Sequence, residues 1–202
     1  MKLKLLLIGL FLPLLSFSQN LRILSDFNDI NMSISKYEAE SKMVTLKDFE
    51  ETRRDKFNID NYSWIEYNTA DSSMAVMLCF YKNILYRKVL GLRYSKGNLD
   101  RCKDEWLNIR RFALTKYKPV KTGRGEMTND AYGGSIGYNY TYYLDKNNTK
   151  QIEAEYFGRL QLDYTYKPFT ATIKGYMTEF SITDISQTTL SYKIGVSTFQ
   201  LD

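Results

Sequence analysis

Two glutamates, Glu153 and Glu155, have the type and spacing that come closest to a catalytic pair in this sequence. They alternate with Ile152, Ala154 and Tyr156, so both carboxyl groups would lie on one side of an extended strand. Glycoside hydrolysis needs only two carboxyl groups, one as acid and one as base or nucleophile. The same alternation is typical of a solvated strand face. Glu153 and Glu155 are therefore candidate catalytic residues, with ordinary solvation as the alternative.

Other common catalytic chemistries are excluded by composition. The 202 residues include no histidine, which rules out Ser-His-Asp and Cys-His nucleophile pairs and His-ligated zinc. The segment from Asp145 to Thr149 lacks the central glycine and spaced acids of a calcium loop, and we interpret it as a turn. No glycine-rich segment ends in the Gly-Lys-Ser/Thr of a phosphate-binding loop. We expect neither a metal nor a cofactor.

A run of basic side chains with no acid between them is a candidate binding site for an anionic partner: Arg110, Arg111, Lys116, Lys118, Lys121 and Arg124. An envelope protein, an acidic glycan or an anionic lipid surface would suit such a site. The alternative is a solvated helix end, because cations near a helix C-terminus interact favourably with its dipole. Nucleic acid is not expected as a partner, since the chain carries an export signal.

The tyrosines, 17 in all, suggest a second binding surface. Tyr138, Tyr140 and Tyr142 alternate along one predicted strand and would form an aromatic row suited to carbohydrate or protein contact. Aromatic residues are also good strand formers, so a row facing the helices would be core. The glycine-rich segment 122–137 that overlaps this row is predicted to be a mobile surface connection.

The N-terminus predicts export. Residues 1–18 combine Lys2 and Lys4, a short apolar run and a small-x-small cleavage site, as in a secretory signal peptide. The next residue is Gln19 rather than Cys, so we expect no lipid anchor. No long apolar run follows, and we expect no membrane span after cleavage. The predicted product is a single soluble domain, 19–202, in the periplasm or outside the cell.

An oxidising compartment makes the two cysteines a candidate disulfide. Cys79 lies in the apolar run Met74 to Tyr81, and Cys102 lies near the start of a predicted helix. A bridge would close a loop of about 24 residues and contribute about 3 kcal/mol in the chain-entropy model. The alternative is a pair of buried free thiols.

The hydrophobic pattern predicts an α+β fold. We predict a short helix between Val44 and Phe57 with Thr45 as N-cap, strands over 62–68, 74–81 and 84–94, and a helix over 99–117. Beyond about residue 118 the chain alternates with period two and predicts an all-β meander. The expected architecture is an antiparallel sheet with two helices on one face. This order is similar to that of small exported envelope modules such as β-lactamase-inhibitor-like domains, a likeness from which we carry over no function.

These observations favour an exported, soluble, non-enzymatic binding or envelope-assembly module over an enzyme. The competing hypothesis is a small secreted hydrolase that uses carboxylates without metal or histidine. Catalysis would require Glu153 and Glu155 to line a concave pocket with a raised pKa, whereas solvation would place them on an open surface.

Overall fold

The computed structural model describes residues 22–46, 48–56, 61–129, 134–163 and 170–187. The predicted signal peptide lies outside these residues. None of the helices among them is long and apolar enough to cross a membrane.

The described part of the chain contains three helices: α1 (residues 22–28), α2 (Lys36–Thr45) and α3 (Leu99–Lys116). Helix α2 begins after Ser35, whose side chain accepts a hydrogen bond from the Glu38 backbone N–H and so satisfies one of the free donors of the first turn. Helix α3 buries an apolar stripe that includes Ile109 and Ala113, as its spacing predicts. A short 3₁₀ helix, Ile185–Gln187, follows the last strand.

Eight strands form one antiparallel sheet in the spatial order β1-β2-β3-β4-β8-β7-β6-β5. Their bounds are β1 Phe49–Lys56, β2 Tyr62–Thr69, β3 Met74–Tyr81, β4 Ile84–Ser95, β5 Lys118–Asn129, β6 Gly134–Leu144, β7 Lys150–Asp163 and β8 Thr170–Asp184. Each half of the chain supplies a four-stranded meander, and the two meanders join where β4 pairs with β8. Helix α3 connects β4 in the centre to β5 at the far edge. The predicted α+β fold with an antiparallel sheet is confirmed.

The sheet has two different faces. On the helix face, α1, α2 and α3 bury a large apolar cluster whose members include Phe27, Met43, Ile109 and Phe180. The opposite face, which we call the distal face, carries a smaller cluster around Met77, Cys79, Val89, Phe157 and Met177. Because successive strand residues point to opposite faces, the central strands β3 and β4 contribute to both clusters.

The predicted helix between Val44 and Phe57 is wrong. Thr45 is the last residue of α2 rather than an N-cap, and Phe49–Lys56 is the edge strand β1. The helix starts ten residues earlier because Ser35 provides the cap. Val44 lies within α2 and is 81% exposed.

Cys79 and Cys102 are both buried free thiols, which corrects the predicted disulfide. Cys79 belongs to the distal face, whereas Cys102 lies on α3 with its sulfur 3.1 Å from Thr178 Oγ1 on the helix face. The sheet separates the two sulfurs. A bridge requires the two Cβ atoms to face one another, and these lie on opposite sides of the sheet.

Lys88 on β4 fixes α1 to the sheet. Its side chain is buried, and its Nζ donates to the backbone oxygens of Phe27, Asn28 and Ile30 at 2.6, 2.9 and 2.5 Å. These carbonyls lie at the C-terminal end of α1, where helical carbonyls lack intrahelical partners. Burial lowers the pKa of Lys88 to about 7. The Lys88 ammonium thus donates to the chain where α1 ends, and the Phe27 oxygen also accepts from the Ile30 backbone N–H at 3.3 Å.

Candidate functional site

The distal face carries a cluster of glutamates near the centre of the sheet. Strand register places Glu155 of β7 directly opposite Glu179 of β8, and Glu153 opposite Ser181. Trp106 of α3 donates a 3.0 Å hydrogen bond to the Ala154 carbonyl, which holds α3 against β7 on the other side of the sheet. The glutamates therefore point away from the helices, on a strand that is packed from behind. We call Glu153, Glu155 and Glu179 the glutamate cluster.

Glu153 has polar partners. Gln151 Nε2 donates to its Oε1 at 2.6 Å, and Ser181 Oγ donates to its Oε2 at 3.3 Å. The Arg87 guanidinium lies 3.9 Å from the same Oε2, and the Glu153 side chain is 19% exposed. Both carboxyl oxygens of Glu153 thus accept a hydrogen bond, and a cation lies nearby.

Glu155 has a different environment. It is half-buried, and burial together with the negative charges of Glu153 and Glu179 raises its pKa to about 8, while Arg87 acts in the opposite direction. Glu153 and Glu155 share one side of a strand, as the alternation predicts, but their environments differ. The raised pKa favours the protonated form of Glu155 at neutral pH.

Glu179 lies deeper in the cluster. Its side chain is only 5% exposed, and its Oε1 has no hydrogen-bond partner. Burial raises its pKa to about 7, with Arg87 opposing this shift and Glu153 adding to it. On the side away from Glu155, Glu179 is paired with Gly91 of β4, a residue with no side chain. Arg87 Nε is also buried without a partner.

The tyrosine row borders the glutamate cluster. Tyr142 and Tyr140 lie opposite Glu153 and Glu155, so the row is on the distal face, as the binding hypothesis requires. The Tyr140 and Tyr142 rings stack with centroids 4.7 Å apart, and the centroids of Tyr138 and Tyr140 are 5.6 Å apart. Tyr140 is buried, while Tyr138 and Tyr142 are half-buried. The row is a partly accessible aromatic wall.

The glycine-rich segment is a strand where the structure describes it, which corrects the predicted mobile connection. Gly123 and Gly125 of β5 pair with Tyr140 and Tyr138, and a Cβ atom at either glycine would lie within 2.7 Å of the opposing tyrosine side chain. Because the glycines have no side chain, the Tyr140 and Tyr138 rings pack directly against the backbone of β5. Residues 130–133 lie outside the described part of the chain.

The basic residues predicted as one anion site are dispersed. The Arg110 guanidinium stacks 4.6 Å from the Trp106 ring centroid, and Lys116 lies 3.9 Å from Asp29, the residue after α1. Lys121 lies on the distal face, 5.7 Å from the Tyr140 ring centroid. Arg111, Lys118 and Arg124 are exposed. The basic residues of α3, which are Arg110, Arg111 and Lys116, thus lie on one side of the sheet, and Lys121 lies on the other.

Two further arginines on the distal face, Arg87 and Arg93, were not among the sequence candidates. Arg93 is held by Glu66 at 3.3 Å and by Asn68 Oδ1 at 2.9 Å. Arg87 lies beside the glutamate cluster. Alternation alone places Arg87 and Glu179 on one face of their own strands, but the register between β4, β7 and β8 brings them together, and this register has no local signature in the sequence.

A groove among the described residues lies between α2 and β1, away from the glutamates. It has a volume of about 420 Å³, with Tyr37, Val44 and Phe49 among its apolar lining residues. Arg54 crosses it and pairs with Glu51 at 2.7 Å and with Glu40 at 2.9 Å. Its charged side chains are therefore satisfied within the chain.

No protein-family model matches this sequence, and no curated protein is significantly similar to it. Among the described residues, cysteine, aspartate and glutamate side chains form no group of three or more that could hold a metal ion. The site is accordingly defined by its own geometry: three glutamates, one arginine and an aromatic wall on the distal face.

Proposed function

We propose that the chain is an exported binding or envelope-assembly module whose distal face is its contact surface. The observation that carries this proposal is the unequal use of the two faces. The three described helices pack on one face, while the other concentrates half-buried tyrosines and a charged cluster that includes unpartnered buried atoms. Aromatic side chains and desolvated charges are the groups that dominate binding energies at protein interfaces.

Native mass spectrometry of the mature protein, purified from its own source, tests this proposal. We expect a retained partner, glycan or lipid in the wild-type spectrum, and its loss from the Tyr142→Ala variant because the aromatic wall is shortened. Tyr37→Ala is the matched control, since Tyr37 is an exposed tyrosine of α2 that lies away from the distal face. A bare wild-type chain, or equal retention by both variants, would contradict the assignment of the contact surface.

A second candidate function, glycoside hydrolysis, is favoured by one specific observation. Glu153 accepts a hydrogen bond at each carboxyl oxygen, whereas the neighbouring Glu155 has its pKa raised to about 8 by burial and by nearby carboxyl groups. Such a division between two carboxyl groups is the pattern of a nucleophile or base and a general acid. Neither glutamate lines the groove between α2 and β1.

The hydrolase hypothesis is tested with a panel of aryl glycosides. Glu153→Gln and Glu155→Gln would each abolish turnover if these residues act as a pair, because neither partner can be replaced by the other. Asp104→Asn, at an exposed position of α3, is the control. Turnover that survives both glutamine substitutions would remove the hypothesis.

A further inference from the structure

We propose that the glutamate cluster is a receptor for one organic cation, the ammonium or guanidinium group of a lysine or arginine side chain on a partner protein. This inference rests on the proposed function, because it names the chemistry by which the distal face would recognise its partner. Three features of the site support it: an excess of acidic groups, a buried acceptor without a donor, and an aromatic wall.

The cluster has more carboxyl groups than cations to pair with them. Glu153, Glu155 and Glu179 lie near two guanidinium groups, that of Arg87, which approaches Glu153 at 3.9 Å, and that of Arg93, whose charge also acts on Glu179. Arg93 is engaged with Glu66 and Asn68. A cation bound here would stabilise the ionised form of these carboxyl groups, whereas an anion would meet three acidic side chains.

The acceptor that lacks a donor is a defined atom, Glu179 Oε1. Among the described side chains, three buried polar atoms lack a partner, and two of them, Glu179 Oε1 and Arg87 Nε, belong to this site. A buried acceptor without a donor costs about 1–3 kcal/mol of stability. Such a cost is commonly retained at functional positions, where a ligand satisfies the group. An ammonium or guanidinium group carries the N–H donors that Glu179 Oε1 lacks.

The site has an outer and an inner level. Glu153 and Glu155 are partly exposed, while Glu179, beside Glu155 on the neighbouring strand, is buried. Gly91, on the other flank of Glu179, has no side chain above its backbone. A long side chain with a charged end suits this arrangement, since its head would reach Glu179 while its stem lies against the neighbouring rings.

The aromatic wall also favours a cation. Tyr142 and Tyr140 face Glu153 and Glu155 across the β6–β7 pair, and aromatic ring faces attract ammonium and guanidinium groups. The chain itself provides an instance, because the ammonium of Lys121 lies 5.7 Å from the Tyr140 ring centroid. Carboxylates beside tyrosine rings thus present two kinds of favourable contact to the same ligand.

The probes for this inference are N-acetyl-arginine methylamide and N-acetyl-lysine methylamide, compared with the neutral N-acetyl-citrulline methylamide. Binding is followed by chemical-shift changes of backbone amides in the full mature chain. We expect both cationic probes to bind at least about tenfold more tightly than the citrulline probe, because a charge-assisted hydrogen bond is replaced by a neutral one. The shifts should centre on residues 153–155 and 179.

Two variants localise the binding. Glu179→Gln and Glu155→Gln should each weaken the cationic probes about tenfold or more and leave the citrulline probe unchanged. Asp104→Asn, on α3, should change neither. Because Glu155 is only half-buried, its variant provides the test should Glu179→Gln fail to fold.

Equal affinity for charged and neutral probes would overturn the inference, as would cation binding that survives both glutamine substitutions. The proposed function fails separately. If native mass spectrometry detects a partner that depends on Tyr142 while the cationic probes do not bind, the contact surface stands and the cation receptor does not. If the cationic probes bind and no partner depends on Tyr142, the cation receptor stands and the proposed contact surface does not.

Discussion

Glu155 of β7 and Glu179 of β8 are paired on adjacent strands of the sheet. Burial raises the pKa of Glu155 to about 8 and that of Glu179 to about 7. Two ionised carboxylates at opposed positions would repel one another. Protonation removes this repulsion and also the cost of burying charge. At pH values below neutrality the folded chain thus holds protons at a position where an unfolded chain would release them.

The stability of the protein is expected to depend on pH through this pair. A carboxyl group with a raised folded-state pKa contributes stability that is complete below its unfolded pKa, near 4.5, and is lost as pH rises through the folded pKa. The free energy of unfolding should therefore fall between pH 4.5 and about 8. For Glu179 alone the loss is about 3 kcal/mol. Urea unfolding across this pH range measures it.

The Glu179→Gln variant isolates this effect. Glutamine resembles the protonated acid, so the variant should equal the wild type near pH 4.5 and exceed its stability by about 3 kcal/mol at pH 8. Glu50→Gln, at an exposed position of β1, should retain the wild-type slope. Lys88 acts in the opposite direction above pH 7, because burial lowers its pKa from 10.5 to about 7, but this contribution cancels in the comparison. Parallel curves for wild type and Glu179→Gln would show that Glu179 does not titrate in this range.

Removal of the buried ammonium should loosen the first helix. Lys88→Met preserves the length of the side chain but leaves the carbonyls of Phe27, Asn28 and Ile30 without their donor. We expect a loss of about 3 kcal/mol in the free energy of unfolding. Hydrogen exchange should accelerate first in residues 22–28. Lys96→Met, at an exposed position, is the control, and an equal effect of the two substitutions would refute the anchoring role.

We expect the stability effects of substitutions at Gly125 of β5 and at Tyr138 to be coupled, because the tyrosine ring occupies the space beside the glycine. An alanine Cβ at position 125 would lie 2.5 Å from Tyr138 Cζ, so the ring must move in Gly125→Ala. We expect a cost of about 1 kcal/mol, which should vanish when Tyr138→Ala is combined with it. Gly97→Ala is the control, because nothing lies within 4 Å of its added atom. Additive single effects in the double-mutant cycle would mean that the ring and the glycine are independent.

The sequence predicted correctly those helices and strands whose hydrophobic pattern lies within one continuous segment of the chain. The strand Met74–Tyr81 coincides with β3, because apolar residues on both faces require a strand that is covered on both sides. The predicted strands 74–81 and 84–94 leave two residues between them, and Lys82 and Asn83 have the positive φ values, 48° and 63°, of a two-residue hairpin turn. Helix α3 ends one residue before its predicted limit.

The features that were missed depend on distant parts of the chain. Val44 and Thr45 resemble a helix start, but the helix that begins after Ser35 already includes them, and pairing with β2 makes the next segment a strand. Glu153 and Glu155 were correctly placed on one side of a strand. Their relation to Glu179 follows from the β7–β8 register, which local alternation does not encode.

The thiols provide the last prediction. Cys79 and Cys102 are buried on opposite sides of the sheet, and burial raises the pKa of each thiol to about 11. Reaction with Ellman's reagent requires an accessible thiolate, so we expect little reaction in the native state. In concentrated guanidinium chloride without reductant, both cysteines should react. A denatured chain with no reactive thiol would restore the disulfide and require the two cysteines to lie on one face, contrary to the register of β3 and the orientation of α3.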